Sequence, residues 1–223
     1  MRFIFPLILM LFISSCTQKI ESDEITRKGD IVYRKGDNKP FTGIVVNDYQ
    51  NRVKTGTANF EKQVRKSEAT YENGVLNGPF KTWYNNANLE SEKIYVSGKL
   101  QGEFKEYYDT GELKQSGNFK NNLRWGESTE FYKNGKPKRK ENYENGRLSG
   151  KVTEFYDTGK KRIEWIYSNG QLNGKYFAWF PDGIKKEEGN YTKGERNGVF
   201  TWWNSDGTVL MYEAYINGEK QTY

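Results

Sequence analysis

Six large aromatic residues recur at a constant step of 24 residues and are the strongest candidates for binding chemistry in the chain. These residues are Trp83, Tyr107, Phe131, Phe155, Trp179 and Trp203. Large rigid rings on a polar surface are a common recognition surface, because they lose little conformational entropy when a partner binds. The six rings are therefore either a stripe that contacts a partner or a set that packs between neighbouring elements.

Catalytic chemistry has little support in this sequence. The chain contains no histidine, which removes histidine general acid–base catalysis, Ser-His-Asp triads and His-ligated metals. The adjacent carboxylates Glu187 and Glu188 could suggest glycoside hydrolysis, but adjacent residues of a strand face opposite sides. The repeated Asn-Gly-x-x-x-Gly segments lack the Gly-Lys-Ser/Thr of a phosphate-binding loop. We therefore predict a protein that is not an enzyme, with no cofactor and no metal.

The composition predicts a core made of rings. Hydrophobic residues make up only 35% of the chain and the mean hydropathy is −0.96, whereas aromatic residues reach 16%. Such a chain must bury Tyr, Phe and Trp rather than Leu and Ile. The net charge is +6, but Lys and Arg alternate with Glu and Asp along the chain. This pattern is typical of a solvated surface, so we expect no nucleic-acid partner.

The first residues predict a lipid anchor. Arg2 precedes an apolar run from Phe3 to Ile13, which is shorter than the roughly 20 residues that a membrane span needs. The ending "ISSC" resembles the bacterial lipobox, and the resemblance implies cleavage before Cys16 and lipidation of Cys16. The alternatives are an ordinary signal peptide with a chance cysteine and an uncleaved anchor. Thr17 is not the Asp associated with inner-membrane retention, so we expect a cell-envelope lipoprotein of the outer membrane.

A repeat of 24 residues must position the six rings. The leading aromatic residues of the copies are Tyr71, Tyr95, Phe119, Tyr143, Tyr167, Tyr191 and Tyr215, and we number each copy from its leading residue as position 0. Glycine recurs at positions 3, 7 and 16, and aromatic residues recur at positions 12 and 13. Seven leading residues at a constant step indicate six full copies and a truncated seventh.

Four segments follow from this frame. Residues 1–15 are interpreted as a lipoprotein signal peptide and residues 16–30 as a flexible tether. Residues 31–70 are interpreted as degenerate N-terminal repeats or a cap, and residues 71–223 as the repeat array. The single cysteine excludes a disulfide within the chain.

Each copy predicts a β-hairpin. An aromatic-rich run is followed by turn residues such as Asp109 and Gly111 and then by a second run. With a turn at positions 14–17, position 13 should pair with 18, position 11 with 20 and position 9 with 22. Positions 9, 11 and 13 then share a densely aromatic face, and the position-12 rings lie on the opposite, polar face. The predicted fold is all-β: an elongated, single-layer antiparallel β-meander of 24-residue hairpins.

The copies resemble a known repeat family. The segments "YENGVLNGPFKTWY" and "YSNGQLNGKYFAWFPDG" resemble the MORN repeat variant, well over residues 71–223 and loosely over residues 31–60. Bacterial proteins of this kind are often labelled antitoxin components, and MORN repeats elsewhere are associated with membrane lipids and protein partners. The resemblance implies a binding scaffold.

Together these features favour one function and leave two alternatives open. We expect a lipid-anchored envelope scaffold, a monomer, that binds a protein or peptide partner along the aromatic face and contacts the membrane through its N-terminal lipid. An antitoxin-like protein that neutralises a toxin is one alternative. A glycan-binding surface protein is the other.

Overall fold

The structure is a computed structural model that describes residues 17–49, 53–55, 60–62 and 64–222. The predicted signal peptide and Cys16 lie outside these residues. Apart from one 3-10 turn at Ser22–Glu24, the regular elements in the described part of the chain are all β-strands. Within that part, no helix is long and apolar enough to cross a membrane.

The strands are β1 (Lys19–Glu21), β2 (Ile25–Lys28), β3 (Ile31–Arg34), β4 (Gly43–Asp48), β5 (Val53–Thr55), β6 (Phe60–Lys62), β7 (Arg65–Glu72), β8 (Val75–Trp83), β9 (Leu89–Val96), β10 (Lys99–Leu100), β11 (Gly102–Tyr107), β12 (Leu113–Lys120), β13 (Leu123–Arg124), β14 (Gly126–Phe131), β15 (Pro137–Glu144), β16 (Arg147–Leu148), β17 (Gly150–Phe155), β18 (Lys161–Ser168), β19 (Gln171–Trp179), β20 (Lys185–Thr192), β21 (Glu195–Arg196), β22 (Gly198–Trp203), β23 (Val209–Ile216) and β24 (Glu219–Lys220).

Twenty of these strands form one sheet in which hairpins follow one another along the chain. The long strands from β4 and β7 through to β22 and β23 lie side by side in chain order, each antiparallel to the next. At one end, β1 is parallel to β4. The pairs β2–β3 and β5–β6 form two small separate sheets. The predicted single-layer antiparallel β-meander is confirmed.

The hairpins share one backbone geometry. Gly102, at position 7, pairs with Phe119, the leading aromatic of the next copy. Its φ of +80° lies in the left-handed region, which glycine adopts without a Cβ clash. At the far end of the hairpin, the amide of Tyr108 donates to the carbonyl of Glu112 at 2.8 Å and closes the turn.

A β-bulge corrects the predicted register. The sequence predicted that position 13 pairs with position 18, but Tyr107 at position 12 pairs with Leu113 at position 18. The turn closes on position 17 instead, which leaves Lys114 as the extra residue of its strand. The shift recurs at the same place in all seven such hairpins. Because a bulge turns two successive side chains to one side, position 18 shares a face with position 12 and not with position 13.

The flexible tether predicted for residues 16–30 is corrected by the structure. Residues from Lys19 onward form β1, the 3-10 turn and β2. Ile20 is 5% exposed and packs in a cluster with Val32, Phe41, Val45 and other residues of the first hairpins. The polar segment contains two isolated isoleucines, which gave no usable periodicity in the sequence. Ile20 is buried in this cluster, and Ile25 packs against it.

The N-terminal part of the sheet contains a further hairpin of the same design. In β4 and β7, Gly43 pairs with Tyr71 just as position 7 pairs with the next leading aromatic elsewhere. The amide of Tyr49 donates to the carbonyl of Val64 at 2.8 Å, which corresponds to the turn-closing bond of the other copies. The longer connection between Tyr49 and Val64 carries the small β5–β6 hairpin and breaks the 24-residue register.

Two rings, those of Phe104 and Phe200, are buried in this single layer by lying across a glycine of a neighbouring strand. Gly189 lies between Tyr176 in its own hairpin and Phe200 in the next one. A methyl group on Gly189 would lie 2.3 Å from Cε1 of Phe200, which is fully buried. Gly117 faces Phe104 of its own hairpin, and a methyl group on Gly117 would lie 2.8 Å from Cε1 of that ring. A glycine facing a ring thus replaces the second layer that a thicker protein would supply.

We predict that Gly189→Ala destabilises the array because the new methyl group overlaps the Phe200 ring. Overpacking of this kind costs about 1–3 kcal/mol. The measurement is urea unfolding followed by tryptophan fluorescence. The control is the double variant Gly189→Ala with Phe200→Leu, in which the smaller side chain should make the two losses less than additive. Strict additivity would show that the ring does not lie on this glycine.

Candidate functional site

The two faces of the sheet carry different side chains. On the ring-packed face, which carries positions 0, 5, 9, 11, 20 and 22, aromatic rings contact one another between hairpins. The ring centroids of Phe104 and Phe119 are 4.9 Å apart, and those of Phe200 and Tyr215 are 5.5 Å apart. On the stripe face, which carries positions 8, 10, 12, 18, 21 and 23, the rings lie among Lys, Glu, Thr and Asn, and four of them face an apolar residue at position 18: Leu89, Leu113, Pro137 and Val209.

The six position-12 rings all lie half-buried on the stripe face. Their contacts are with residues of that face: the Tyr107 hydroxyl donates to Glu92 at 3.0 Å, and the Trp179 ring lies 5.9 Å from Phe177. The bulge therefore does not move position 12 to the other side. The sequence-predicted residues form one row, with one ring in each hairpin from β8 to β22.

Lysines lie over the rings in the C-terminal half of the stripe. The Lys161 ammonium lies 5.5 Å from the centroid of Trp179, and the Lys185 ammonium lies 5.0 Å from Trp203 and 5.7 Å from Phe177. Contacts of this kind contribute about 0.5–1 kcal/mol at exposed sites. The result is a surface on which flat apolar rings alternate with cationic donors.

A buried carboxylate, Glu164, balances Lys161 in this row. Burial alone raises the pKa of Glu164, but hydrogen bonds from Lys161 and Lys151 outweigh it and hold that pKa below its usual value. Glu164 is only 8% exposed and receives Lys161 at 2.8 Å and Lys151 at 3.1 Å. It is therefore an ionised carboxylate fixed within the row of rings.

A series of tyrosine hydroxyls fixes the backbone behind the stripe. The hydroxyl of each position-13 tyrosine donates to the position-12 carbonyl of the next copy, at 2.7–2.8 Å. These bonds join Tyr84 to Tyr107, Tyr108 to Phe131, Tyr132 to Phe155 and Tyr156 to Trp179. Tyr49 makes the same bond to Trp83 at 2.8 Å. Sequence reasoning assigned position 13 to ring packing and missed this role, although the preference for Tyr over Phe there was a signal.

The adjacent carboxylates Glu187 and Glu188 do not form a catalytic pair. Glu187 accepts a hydrogen bond from the Tyr176 hydroxyl at 3.2 Å on the ring-packed face. Glu188 is bonded to Lys185 at 2.6 Å on the stripe face. Among residues 17–49 and 64–222, no group of three or more acidic, histidine or cysteine side chains could hold a metal ion.

This geometry defines a scaffold of repeated hairpins that presents one ring per copy. A comparison with known protein families identifies the repeat. The family described as MORN repeat variant matches residues 100–121, 126–145, 148–169 and 172–193. These four stretches of the array are MORN repeat variants, as the sequence resemblance predicted. No curated protein matches it.

We predict a pH dependence from Tyr107. Burial, followed by the hydrogen bond to Glu92, raises the pKa of Tyr107 from 10.0 to about 12. A folded-state pKa above the unfolded one means that the contribution to stability is fully present below pH 10 and is lost as the pH rises towards 12. The free energy of unfolding should therefore fall more steeply above pH 10 for the wild type than for Tyr107→Phe.

Urea unfolding at a series of alkaline pH values measures this difference. Every other tyrosine is common to both proteins, so its titration cancels in the comparison. Parallel curves for the two proteins would contradict the assigned environment of Tyr107.

Proposed function

We propose that the protein is a lipid-anchored envelope scaffold that binds a protein or peptide partner along the stripe face. The observation that carries the proposal is the row of six position-12 rings on one face, at one ring per hairpin. Rings held at fixed intervals on a rigid backbone are pre-organised, so little entropy is lost when a partner contacts several of them. The proposed action is binding, without catalysis and without a cofactor.

The ring-packed face already supplies the core, which supports a separate role for the stripe. Phe104 is 2% exposed, and Val152 and Phe200 are fully buried. Within the described residues, Phe177 and Trp179 form the one ring–ring contact on the stripe face. The other stripe rings lie opposite single residues of position 18 and are half-buried, so part of each ring is open to a partner.

The ordered N-terminus affects how a lipid anchor would hold the sheet. Lys19 begins β1 only three residues after Cys16. Three extended residues span at most roughly 10 Å. A lipidated Cys16 would thus keep the first hairpins beside the membrane surface, whereas a 15-residue tether would let them move away from it.

We predict that Trp203→Ala and Phe200→Ala, two changes in β22 on opposite faces, have different effects. Phe200→Ala removes a fully buried ring and should cost about 3–5 kcal/mol of unfolding free energy. Trp203→Ala removes a half-buried ring and should cost less, but it should weaken capture of the partner obtained from envelope extracts with the wild-type protein. Denaturant unfolding and quantitative capture are measured on the same samples. If Trp203→Ala unfolds the sheet as severely as Phe200→Ala does, the stripe is a second core and the proposal fails.

We predict that Cys16→Ala moves the protein from the membrane fraction to the soluble fraction. Bacterial lipoproteins carry several acyl chains, and multiple chains give stable anchoring where a single one does not. The measurement is fractionation of cells that express each form at equal levels. Wild-type-like membrane retention of Cys16→Ala would rule out lipidation as the anchor.

A further inference from the structure

The strand β23 has an outer edge with no partner strand among residues 17–49 and 64–222. In the preceding copy, Glu187 and Glu188 in β20 pair with Trp202 and Thr201 of the next hairpin. The equivalent residues of β23 are Met211 and Tyr212, and they pair with β22 on one side. On the other side, β24 pairs only with Tyr215 and Ile216. Within the part of the chain that the structure describes, the backbone groups that receive a strand in every earlier copy are therefore unpaired here.

The side chains along this edge are apolar and exposed. Leu210 is 60% exposed, Met211 is 43% exposed and Tyr212 is 75% exposed. Val209 beside them is 56% exposed.

Earlier copies carry mainly charged residues at the corresponding places. At position 19, the residues equivalent to Leu210 are Glu90, Lys114, Lys138, Arg162 and Lys186. At position 21, the residues equivalent to Tyr212 are Glu92, Ser116, Lys140, Glu164 and Glu188. Edge strands are normally protected by charge, and terminal repeats normally have polar outer faces. The pattern here is the reverse, which is the composition of an edge that is covered by another chain.

We propose that the β23 edge binds an extended peptide segment of a partner protein, which adds to the sheet as an antiparallel strand with apolar residues at alternate positions. The register is that of the earlier copies, in which the incoming residues lie opposite positions 20 and 21. The apolar side chains of such a peptide all project to one side of the strand, where they would contact Tyr212 and Val209 on the stripe face. Its other side chains would lie beside Leu210 and Met211 on the ring-packed face.

A second copy of the chain fits this edge poorly. Two antiparallel β23 strands centred on Tyr212 would set Met211 against Glu213, whose carboxylate receives the Tyr215 hydroxyl and the Lys220 ammonium, both at 2.5 Å. Covering that charge with an apolar side chain is unfavourable. If the two β23 strands were instead centred on Met211, Tyr212 of one copy would lie opposite Leu210 of the other. The bulge places these two side chains on opposite faces, so they could not contact each other. In head-to-tail pairing, β23 of one copy would lie beside β1 at the other end of the sheet of a second copy. The charged side chains of Lys19 and Glu21 would then lie against the apolar side chains of β23, which is also unfavourable.

The edge site is independent of the proposed stripe, because it depends on open backbone groups and on β23 side chains. Main-chain hydrogen bonds would supply affinity, and the apolar contacts would supply selectivity. An interface of this size is small, so we expect a dissociation constant on the order of micromolar or weaker.

The test uses the full chain in detergent micelles and a synthetic nine-residue peptide of alternating valine and threonine with a lysine at each end. Binding is measured by fluorescence anisotropy, and amide hydrogen exchange locates the contact. The wild type should bind the peptide and gain protection in β23. The double variant Leu210→Lys with Tyr212→Lys, which restores charged residues like those of earlier copies, should bind at least tenfold more weakly while remaining folded.

Two controls separate strand addition from adhesion to an apolar surface. A peptide in which alternate threonines are replaced by proline keeps its valines but cannot complete the main-chain bonds, so it should not bind. The variant Lys175→Val with Lys186→Leu adds exposed apolar residues inside the sheet, where no edge is open, and should bind as the wild type does. Binding without protection of β23 amides, or no binding at all, would overturn the proposal. So would protection of β23 that increases with protein concentration in the absence of peptide, because a second copy would then be the occupant.

Discussion

The packing of aromatic rings across the neighbouring strand is the contact on which this fold depends. A single-layer sheet has no second layer to bury its rings, so each ring must lie across the adjacent strand. At Gly117 and Gly189 the missing side chain makes room for the rings of Phe104 and Phe200, and elsewhere rings meet one another, as Tyr176 and Tyr191 do at 5.8 Å. Because rings of successive hairpins must come into register for this packing, it favours a constant step along the chain.

Arginine extends this packing by acting as a flat side chain. At position 5, four of the copies carry leucine, whereas Arg124 and Arg196 occupy it in two others. The Arg196 guanidinium lies 4.7 Å from the Phe200 centroid and 5.2 Å from the Tyr215 centroid, and it donates to the Tyr215 hydroxyl at 3.1 Å. Arg124 has similar distances to Phe104 and Tyr143. A planar cation covers the rings while its edges reach water, so a chain of low mean hydropathy can still shield its aromatic face.

Much of the fold was predictable because a period of 24 residues carries both the turns and the alternation of faces. The side of position 12 follows from counting along a strand, and Trp179 and Tyr107 do lie on the polar face. The bulge at Lys114 was not predictable, because any residue can be the extra one and no glycine or proline marks it. The regular structure of the residues from Lys19 onward depends on the tertiary contacts of Ile20, which the polar local sequence does not reveal. The apolar residues of β23 are visible in the sequence, but only the sheet order gives them an open edge.

The series of tyrosine hydroxyl bonds gives the array a direction. Each bond joins one hairpin to the next, and the series runs from Tyr49 to Tyr156, which reaches the carbonyl of Trp179. Phe180 occupies the next position and has no hydroxyl, so the link from the β19–β20 hairpin to the β22–β23 hairpin lacks this bond. In an array whose units contact only their neighbours, cooperativity is set by the couplings between units. The coupling of this last hairpin to the preceding one therefore depends on ring packing instead, with Phe200 lying across Gly189 and 5.4 Å from Tyr191.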